Sequence, residues 1–269
     1  MINSILKAID ILETFSSTQP QLTLSEISRR LKLPKSTAHS YLNTLKSRGL
    51  IEQAEDGRYA LGRAIVPLTQ AVRVNVELRD RAAPLLRELA EVCDKSVYLC
   101  SLDGDFVLYI YAIESPQRLR ARTAVGDRAH LHCTSVGKAI LSALTWDKVL
   151  DIVGREGLPK FTEATITDLE ALRTELEETR ARGYAIDRGE HERYSYCIGA
   201  PILDAEGRVI GSCSVAGSDP EIAGEHAQEL ASQVMHTAQE VTRRMGYVPV
   251  RPSAEHPASR VNRMEMNPR

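Results

Sequence analysis

The sequence predicts an α+β chain in two parts: a small N-terminal unit of three helices and a β-hairpin, then a larger unit of helices on a mainly antiparallel sheet. Three observations predict it. Apolar residues recur at helical spacing as far as Arg48. Short apolar runs from Val97 onward are punctuated by turn dipeptides such as Asp103-Gly104. Between Ile27 and Leu50 stand Arg29, Arg30, Lys32, Lys35, Lys46 and Arg48, with no Asp or Glu, so one short stretch carries a charge excess that the net charge of −2 conceals.

In the first unit, Ile5, Ala8, Ile9, Leu12 and Phe15 mark helix one over Ile2–Phe15, ended by the turn-forming Ser16–Pro20. Thr23 and Glu26 have capping-box spacing and open helix two, with Leu24, Ile27 and Leu31 inward. Pro34 has no amide to donate and disfavours helix just before itself, but it starts a helix well. Helix three is therefore expected over Pro34–Arg48, with Gly49 as its stop. Leu50–Glu55 and Arg58–Leu61 flank Asp56-Gly57 as a hairpin. Helix, helix, turn, helix, hairpin is the winged helix-turn-helix layout, expected as a domain over 1–61. A linker helix is expected over 62–81 and a second domain over 82–247.

In that second domain the pattern predicts a helix over Pro84–Val92, strands over Val97–Leu102 and Phe106–Ile113, and helices after Thr134 and Trp146. Thr167 and Glu170 suggest another capping box, for a helix ending at Gly183. Strands are expected over Ser195–Leu203 and Arg208–Ala216, and a last helix over Glu221–Met245. The tail, 248–269, is rich in proline and charge and is expected to be disordered.

Composition excludes some classes. With 269 residues, 43% of them hydrophobic and 26% charged, the chain can bury its cores without disulfides or metal. Its apolar runs are too short to span a bilayer, and Met1–Phe15 offers no uninterrupted apolar stretch for export, so a cytoplasmic protein is expected. The five cysteines include no C-x-x-C pair and are expected as reduced thiols. No cofactor and no metal are called for: His130, His132 and Cys133 match no common zinc spacing.

On helix three, Ala38, Tyr41, Leu42 and Leu45 fall on one side, to pack inward. The other side carries Ser36, Thr37, His39, Ser40, Asn43 and Thr44. Short hydroxyl and amide side chains let a helix approach the floor of the major groove, while flanking cations hold phosphates. Ser36, Thr37, His39, Ser40 and Asn43 are accordingly candidates for reading bases of double-stranded DNA, with Thr44 a further DNA-binding candidate beside them; Lys35, Lys46, Arg48 and the wing residue Arg58 are candidates for phosphate contact.

At this point the chain resembles the IclR (isocitrate lyase regulator) family of bacterial transcription factors over nearly its whole length. Leu24-Ser25-Glu26-Ile27, Leu33-Pro34-Lys35-Ser36-Thr37, Leu45 and Arg48-Gly49-Leu50 look like its helix-turn-helix. Leu131-His132-Cys133-Thr134-Ser135-Val136-Gly137-Lys138-Ala139, Gly183-Tyr184-Ala185-Ile186-Asp187 and Cys197-Ile198-Gly199-Ala200-Pro201 look like its effector-domain signatures. The resemblance implies a GAF-like α/β effector-binding domain and homodimers or homotetramers on a palindromic operator. It also implies a small, usually carboxylate-bearing metabolite as effector, with repression and activation both represented. Carried over by position, the effector pocket would include Ser135, Val136, Asp187, Cys197, Ser214 and Ala216. Ser40 stands where many members have arginine, and Ala216 where some have a hydroxyl.

The residues agree with that implication in one respect: Thr134 and Ser135 open a helix, whose first amides favour an anion. Arg120 and Arg122 would add a cationic clamp if their strand faces the pocket. Bland alternatives stand beside these roles: Cys197 and Ser214 as small core residues, Lys138 as a surface charge, Asp187 as a turn residue. Two other classes also remain open, a GAF-like small-molecule-binding enzyme and a winged helix that docks RNA or protein. Against an enzyme, the sequence has no phosphate loop, no G-x-S-x-G elbow and no G-x-G-x-x-G after a strand.

Overall fold

The computed structural model describes residues 2–16, 19–71, 76–115, 125–224 and 227–247. In the N-terminal unit α1 spans Asn3–Glu13, α2 Leu24–Arg30 and α3 Lys35–Ser47. The capping box at α2 is complete: Thr23 Oγ1 accepts from the Glu26 amide at 3.3 Å, and the Thr23 amide donates to Glu26 Oε2 at 2.7 Å. Pro34 is the N-cap of α3 in extended conformation, and Gly49 takes φ +70°, which lets the chain turn sharply into the hairpin. Strands β2 (Ile51–Gln53) and β3 (Tyr59–Leu61) form the wing, and β1 (Gln21–Leu22), which the sequence did not suggest, adds to β3 in the order β1-β3-β2. Ile11, Phe15, Leu22, Ile27, Leu42, Leu45, Ile51 and Tyr59 make a single core that ties all these elements together.

The stretch expected as a linker helix, 62–81, is helical wherever it is described from Ile65 onward. Helix α4 covers Ile65–Ala71 and α5 runs Val76–Cys93, with 72–75 outside the described residues. Pro84 was expected to begin a helix; instead it lies inside α5. Proline there forfeits one ladder bond, yet Leu78, Ala82, Leu86 and Leu89 are all buried on one continuous stripe, and burying that stripe outweighs the lost bond.

The larger unit has a six-stranded sheet in the order β6-β5-β4-β9-β8-β7, antiparallel throughout its pairings. Its strands are β4 (Ser96–Asp103), β5 (Phe106–Ile113), β6 (Arg128–His130), β7 (Ala185–Arg188), β8 (Tyr196–Leu203) and β9 (Val209–Gly217). Side chains alternate across it. Val97, Leu99, Ile198, Ala200, Cys213 and Val215 pack with α5 and α9 (Ala227–Arg244). Tyr98, Cys100, Val107, Tyr109 and Ala216 face the other way, in a core shared with α6 (Ser135–Ala143), α7 (Trp146–Glu156) and α8 (Leu169–Arg182).

Two helix starts in the larger unit differ from expectation, and two short strands were not expected. Asp168, not Thr167, caps α8, its Oδ1 accepting the Ala171 amide at 2.9 Å. The last helix begins at Ala227 after a 3₁₀ turn at Pro220–Ala223, where Asp219 accepts the Glu221 amide and Pro220 starts the turn. β6 and β7, of three and four residues, carried no run long enough to read. The tail expected to be disordered, 248–269, lies outside the described residues. All five cysteines are free thiols.

Candidate functional sites: a basic helix and a closed pocket

Helix α3 buries Ala38, Leu42 and Leu45 and leaves Lys35, Ser36, His39, Ser40, Asn43, Thr44, Lys46 and Arg48 exposed. Thr37, expected towards solvent, is half-buried. Its neighbour Ala38 is fully buried, so the Thr37 side chain lies at the edge of the helix's inner face. Asn43 Nδ2 lies 3.3 Å from His39 Nδ1, one turn apart, which orients both polar ends on the same outer face. Thr44 Oγ1 donates back to the Ser40 carbonyl at 3.0 Å. Lys46 Nζ donates to Gln53 Oε1 on β2 at 3.1 Å, which links the end of α3 to the wing. Arg58, exposed just before β3, pairs with Asp56 at 3.6 Å. The helix thus presents a polar stripe bounded by cations, the arrangement a groove-reading helix needs.

The second site is built on the sheet. Thr134 caps α6 by accepting the Gly137 amide at 3.1 Å. Helical geometry leaves the amides of Ser135 and Val136 with no partner in the helix's own ladder. Two glycines allow α6 to sit where it does. A Cβ on Gly137 would fall 2.3 Å from the Leu131 carbonyl oxygen, and one on Gly199 of β8 would fall 2.9 Å from the Ser135 carbonyl. Ser212 on β9 then donates to the Val136 carbonyl at 3.0 Å, fixing the first turn against the sheet.

Sheet register does the rest. Asp187 pairs with Cys197, and Cys197 with Ala216, so three strands deliver three side chains in a row; Tyr98 of β4 lies opposite Ser214. The resulting cleft is lined by Tyr98, Tyr109, Thr134, Ser135, Val136, Asp187, Cys197, Ser214 and Ala216, and by His191, Glu192 and Ser195 of the loop after β7. All six residues carried over for the pocket converge there. Arg120 and Arg122 lie outside the described residues. Missing from the sequence reading were Tyr98, Tyr109, His191, Glu192 and Ser195; the tyrosines sit on strands whose alternation gave them a face but no partner. The cleft is narrow, with about 30 Å³ of free space, room for roughly one water.

The electrostatics of this pocket are unusual. Asp187 is 3% exposed, and its Oδ1 accepts the Glu190 amide at 2.8 Å. Burial, reinforced by the nearby Glu190 carboxylate, pushes its carboxyl up to about 7. Lys138 is not a surface charge: it is 0% exposed, with Nζ 2.6 Å from Glu190 Oε1 and 3.2 Å from Glu175 Oε1. Arg182 in turn meets Glu175 at 2.8 Å. Glu190 is fastened further through its backbone, its carbonyl accepting from Thr165 Oγ1 at 2.6 Å and from Thr162 Oγ1 at 3.2 Å. His191 is a half-buried imidazole whose pKa burial lowers; its ring lies tilted against Phe161 at 5.0 Å, as does that of His130 at 5.4 Å. Among the described residues no group of three or more His, Cys, Asp or Glu could hold a metal ion, and no helix is long and apolar enough to cross a membrane.

Comparison with known proteins bears on both sites. Residues 4–55 match the IclR helix-turn-helix domain, and residues 70–243 match the bacterial transcriptional regulator IclR C-terminal domain. The HTH-type transcriptional regulator KdgR of Escherichia coli is 31% identical over 247 residues, 91% of this chain and 94% of that protein. Among solved structures, an IclR protein of Thermotoga maritima aligns at 28% identity with a TM-score of 0.76, over 92% of this chain and all of that one. An IclR homologue of Microbacterium hydrocarbonoxydans, solved with 4-hydroxybenzoate, aligns at 25% identity with a TM-score of 0.80, covering 90% and 98% of the two chains.

Proposed function

Since the chain belongs to the IclR family of DNA-binding bacterial transcription regulators, and is therefore a regulator and not an enzyme, we propose that it binds a palindromic operator as a homodimer or homotetramer. In this reading its affinity for DNA is set by a small organic acid held between α6 and the sheet. Residues 1–61 act as the winged helix-turn-helix, 62–81 as the linker and 82–247 as the effector domain. Ser36, Thr37, His39, Ser40 and Asn43 read base edges, while Lys35, Lys46, Arg48 and Arg58 grip phosphates. Its place of work is the compartment that holds the DNA, the cytoplasm.

The observation that carries the effector half is the convergence of Ser135, Val136, Asp187, Cys197, Ser214 and Ala216 on one cleft at the start of α6. A helix start offers unpaired amides and a positive dipole end, which suits one carboxylate group. The free space is too small for a metabolite, so entry must displace part of the wall. His191, Glu192 and Ser195 come from the loop between β7 and β8, 189–195, which has Gly189 (φ +79°) at its start and Tyr194 (φ +63°) near its end. Ligand entry through that loop would alter the packing of the effector domain, and through the linker the spacing of paired recognition helices. Half-sites lie about one helical turn apart, so small reorientations cost affinity.

A thermal-shift screen of small carboxylic acids tests this reading, with the hits carried into operator binding. A true effector raises the melting temperature by mass action and changes operator affinity. A screen without any shift, or hits that leave operator affinity untouched at saturation, would overturn it.

A further inference from the structure

We propose that the pocket admits an organic acid together with one proton, which Asp187 holds and shares with the incoming carboxylate. This inference rests on the pocket being an acid site, as argued above, and adds the charge state in which it works.

The argument begins with a conflict. An acid seated on the first amides of α6 arrives beside Asp187, which is 3% exposed and lines the same cleft. Two carboxylates confined together repel strongly where water cannot screen them. A cation would resolve the conflict, but among the described residues lining the cleft there is neither lysine nor arginine. Lys138 of α6, the cation whose charge reaches Asp187 among the described residues, is already engaged by Glu190 and Glu175. The other groups facing Asp187 do not help. Glu190, His191 and Glu192 come from the loop after β7, Tyr98 from β4, Tyr109 from β5, Cys133 from the turn before α6 and Cys197 from β8. Glu190 adds negative charge and has one buried oxygen, Oε2, without a hydrogen-bond partner. The Tyr109 and Cys133 acids are pushed up by burial and stay neutral. Burial likewise favours the neutral form of His191.

A proton is then the cheapest counter-charge. The neutral carboxyl of Asp187 can donate its O–H to one oxygen of the ligand carboxylate while that group's other oxygen takes the amides of Ser135 and Val136. Burial and Glu190 already hold this carboxyl near neutrality, so little work is needed to protonate it. The sign follows. The protonated form is populated below about pH 7 and lost above it. Apparent affinity for an acid is therefore level below that point and weakens by about tenfold per pH unit above it. Simple carboxylic acids are fully ionised over this range and contribute no slope of their own.

Isothermal titration of the full-length protein with acetate, lactate and 4-hydroxybenzoate, from pH 6 to 8.5, tests this. The titrations are repeated in two buffers of different ionisation enthalpy. For whichever acid binds, the expected results are a dissociation constant that rises more than tenfold between pH 6.5 and 8.5 and, near pH 8, the uptake of about one proton per ligand. In Asp187→Asn, whose amide donates without titrating, binding should persist with no pH slope. Saturable binding at constant affinity and without proton uptake, abolished by Ser214→Leu, leaves the acid site standing and overturns the proposal alone. Absence of binding by all three acids at every pH defeats the acid-site reading and the proposal with it. The proton count is taken on the unmodified protein, so it decides the matter even if a variant fails to fold.

Discussion

At the scale of single residues, Lys138 shows how charge is handled inside the effector domain. Its ammonium is fully buried against Glu190 and Glu175, and Arg182 completes the group from the far side of Glu175. Breaking such a cluster costs more than the cluster itself contributes, because the partners remain buried and unpaired. Lys138→Met should therefore destabilise the protein by about 3 kcal/mol at pH 8. That deficit should shrink as pH falls and the stranded carboxylates take up protons; denaturant melts at pH 8 and pH 5.5 measure it. Two imidazoles, the buried His132 and the half-buried His191, respond in the opposite sense. Burial sets the pKa of both His132 and His191 below the 6.5 of a free imidazole. The stability they favour is complete above that value and lost as pH drops through it. Because Asp187 and Glu190 gain stability over the same range, the histidine share is read as a difference: the melting temperature of His191→Gln minus that of the unmodified protein should rise as pH drops from 7 to 5. The sequence left Asp187 open between pocket and turn residue, and it offered Lys138 only as a surface charge, which its full burial corrects. It could not do otherwise, because Glu190 lies 52 residues from Lys138 and only the fold brings them together.

At the scale of elements, α3 and α6 do different work with similar means. Both start at a residue that sets the entry of the chain, Pro34 for α3 and Thr134 for α6, and in the proposed reading both direct their first turn at a partner. On α3 the two kinds of contact separate experimentally. Lys35→Ala should weaken binding to every duplex alike and lower the salt slope by about one, whereas Asn43→Ala should cost about 1–3 kcal/mol on the operator alone and relax preference at one base pair. Titrations on operator and random duplex at two salt concentrations distinguish them. On α6 the critical residue belongs to the neighbouring strand. Gly199→Ala would drive a methyl into the Ser135 carbonyl, 2.9 Å from its ideal position, so α6 must lift from β8. Ligand-induced thermal shift should be lost well before the fold is. The elements legible in sequence were those with periodic patterns of their own: the three N-terminal helices, the wing and the long strands. β1, β6 and β7 escaped because two to four residues hold no period and are strands only by virtue of a partner. α5 ran through Pro84 because its buried stripe is set by tertiary packing, which local punctuation does not record.

At the scale of the molecule, α1 carries apolar residues on two sides. Ile11 and Phe15 are buried with Leu22, Ile27 and Leu42, which accounts for its inner face. Ile2, Ile5, Leu6 and Ile9 recur at helical spacing on the other face and are 38–65% exposed. A helix apolar on both sides has two partners to find, and a contiguous exposed stripe of this kind marks an association surface. A second copy of the chain is the partner that the proposed regulator requires, because a palindromic operator needs two recognition helices related by a two-fold axis. Pairing of this apolar face with its copy on a second chain would supply that axis at the DNA-binding domain, where the proposal needs it. The double variant Ile5→Glu, Ile9→Glu places four charges at the centre of such an interface, two from each copy, while leaving the inner core of α1 untouched. Sedimentation equilibrium should then show the number of chains per particle halved, with the melting temperature little changed. Operator affinity should fall by more than about a hundredfold, since each particle can hold only one half-site and the gain from linked binding disappears. Binding of an acid in the effector domain, remote in sequence from α1, should survive the change. If the variant keeps both its association state and its operator affinity, the two recognition helices are paired through some other surface, and the apolar stripe of α1 must be explained by a different partner.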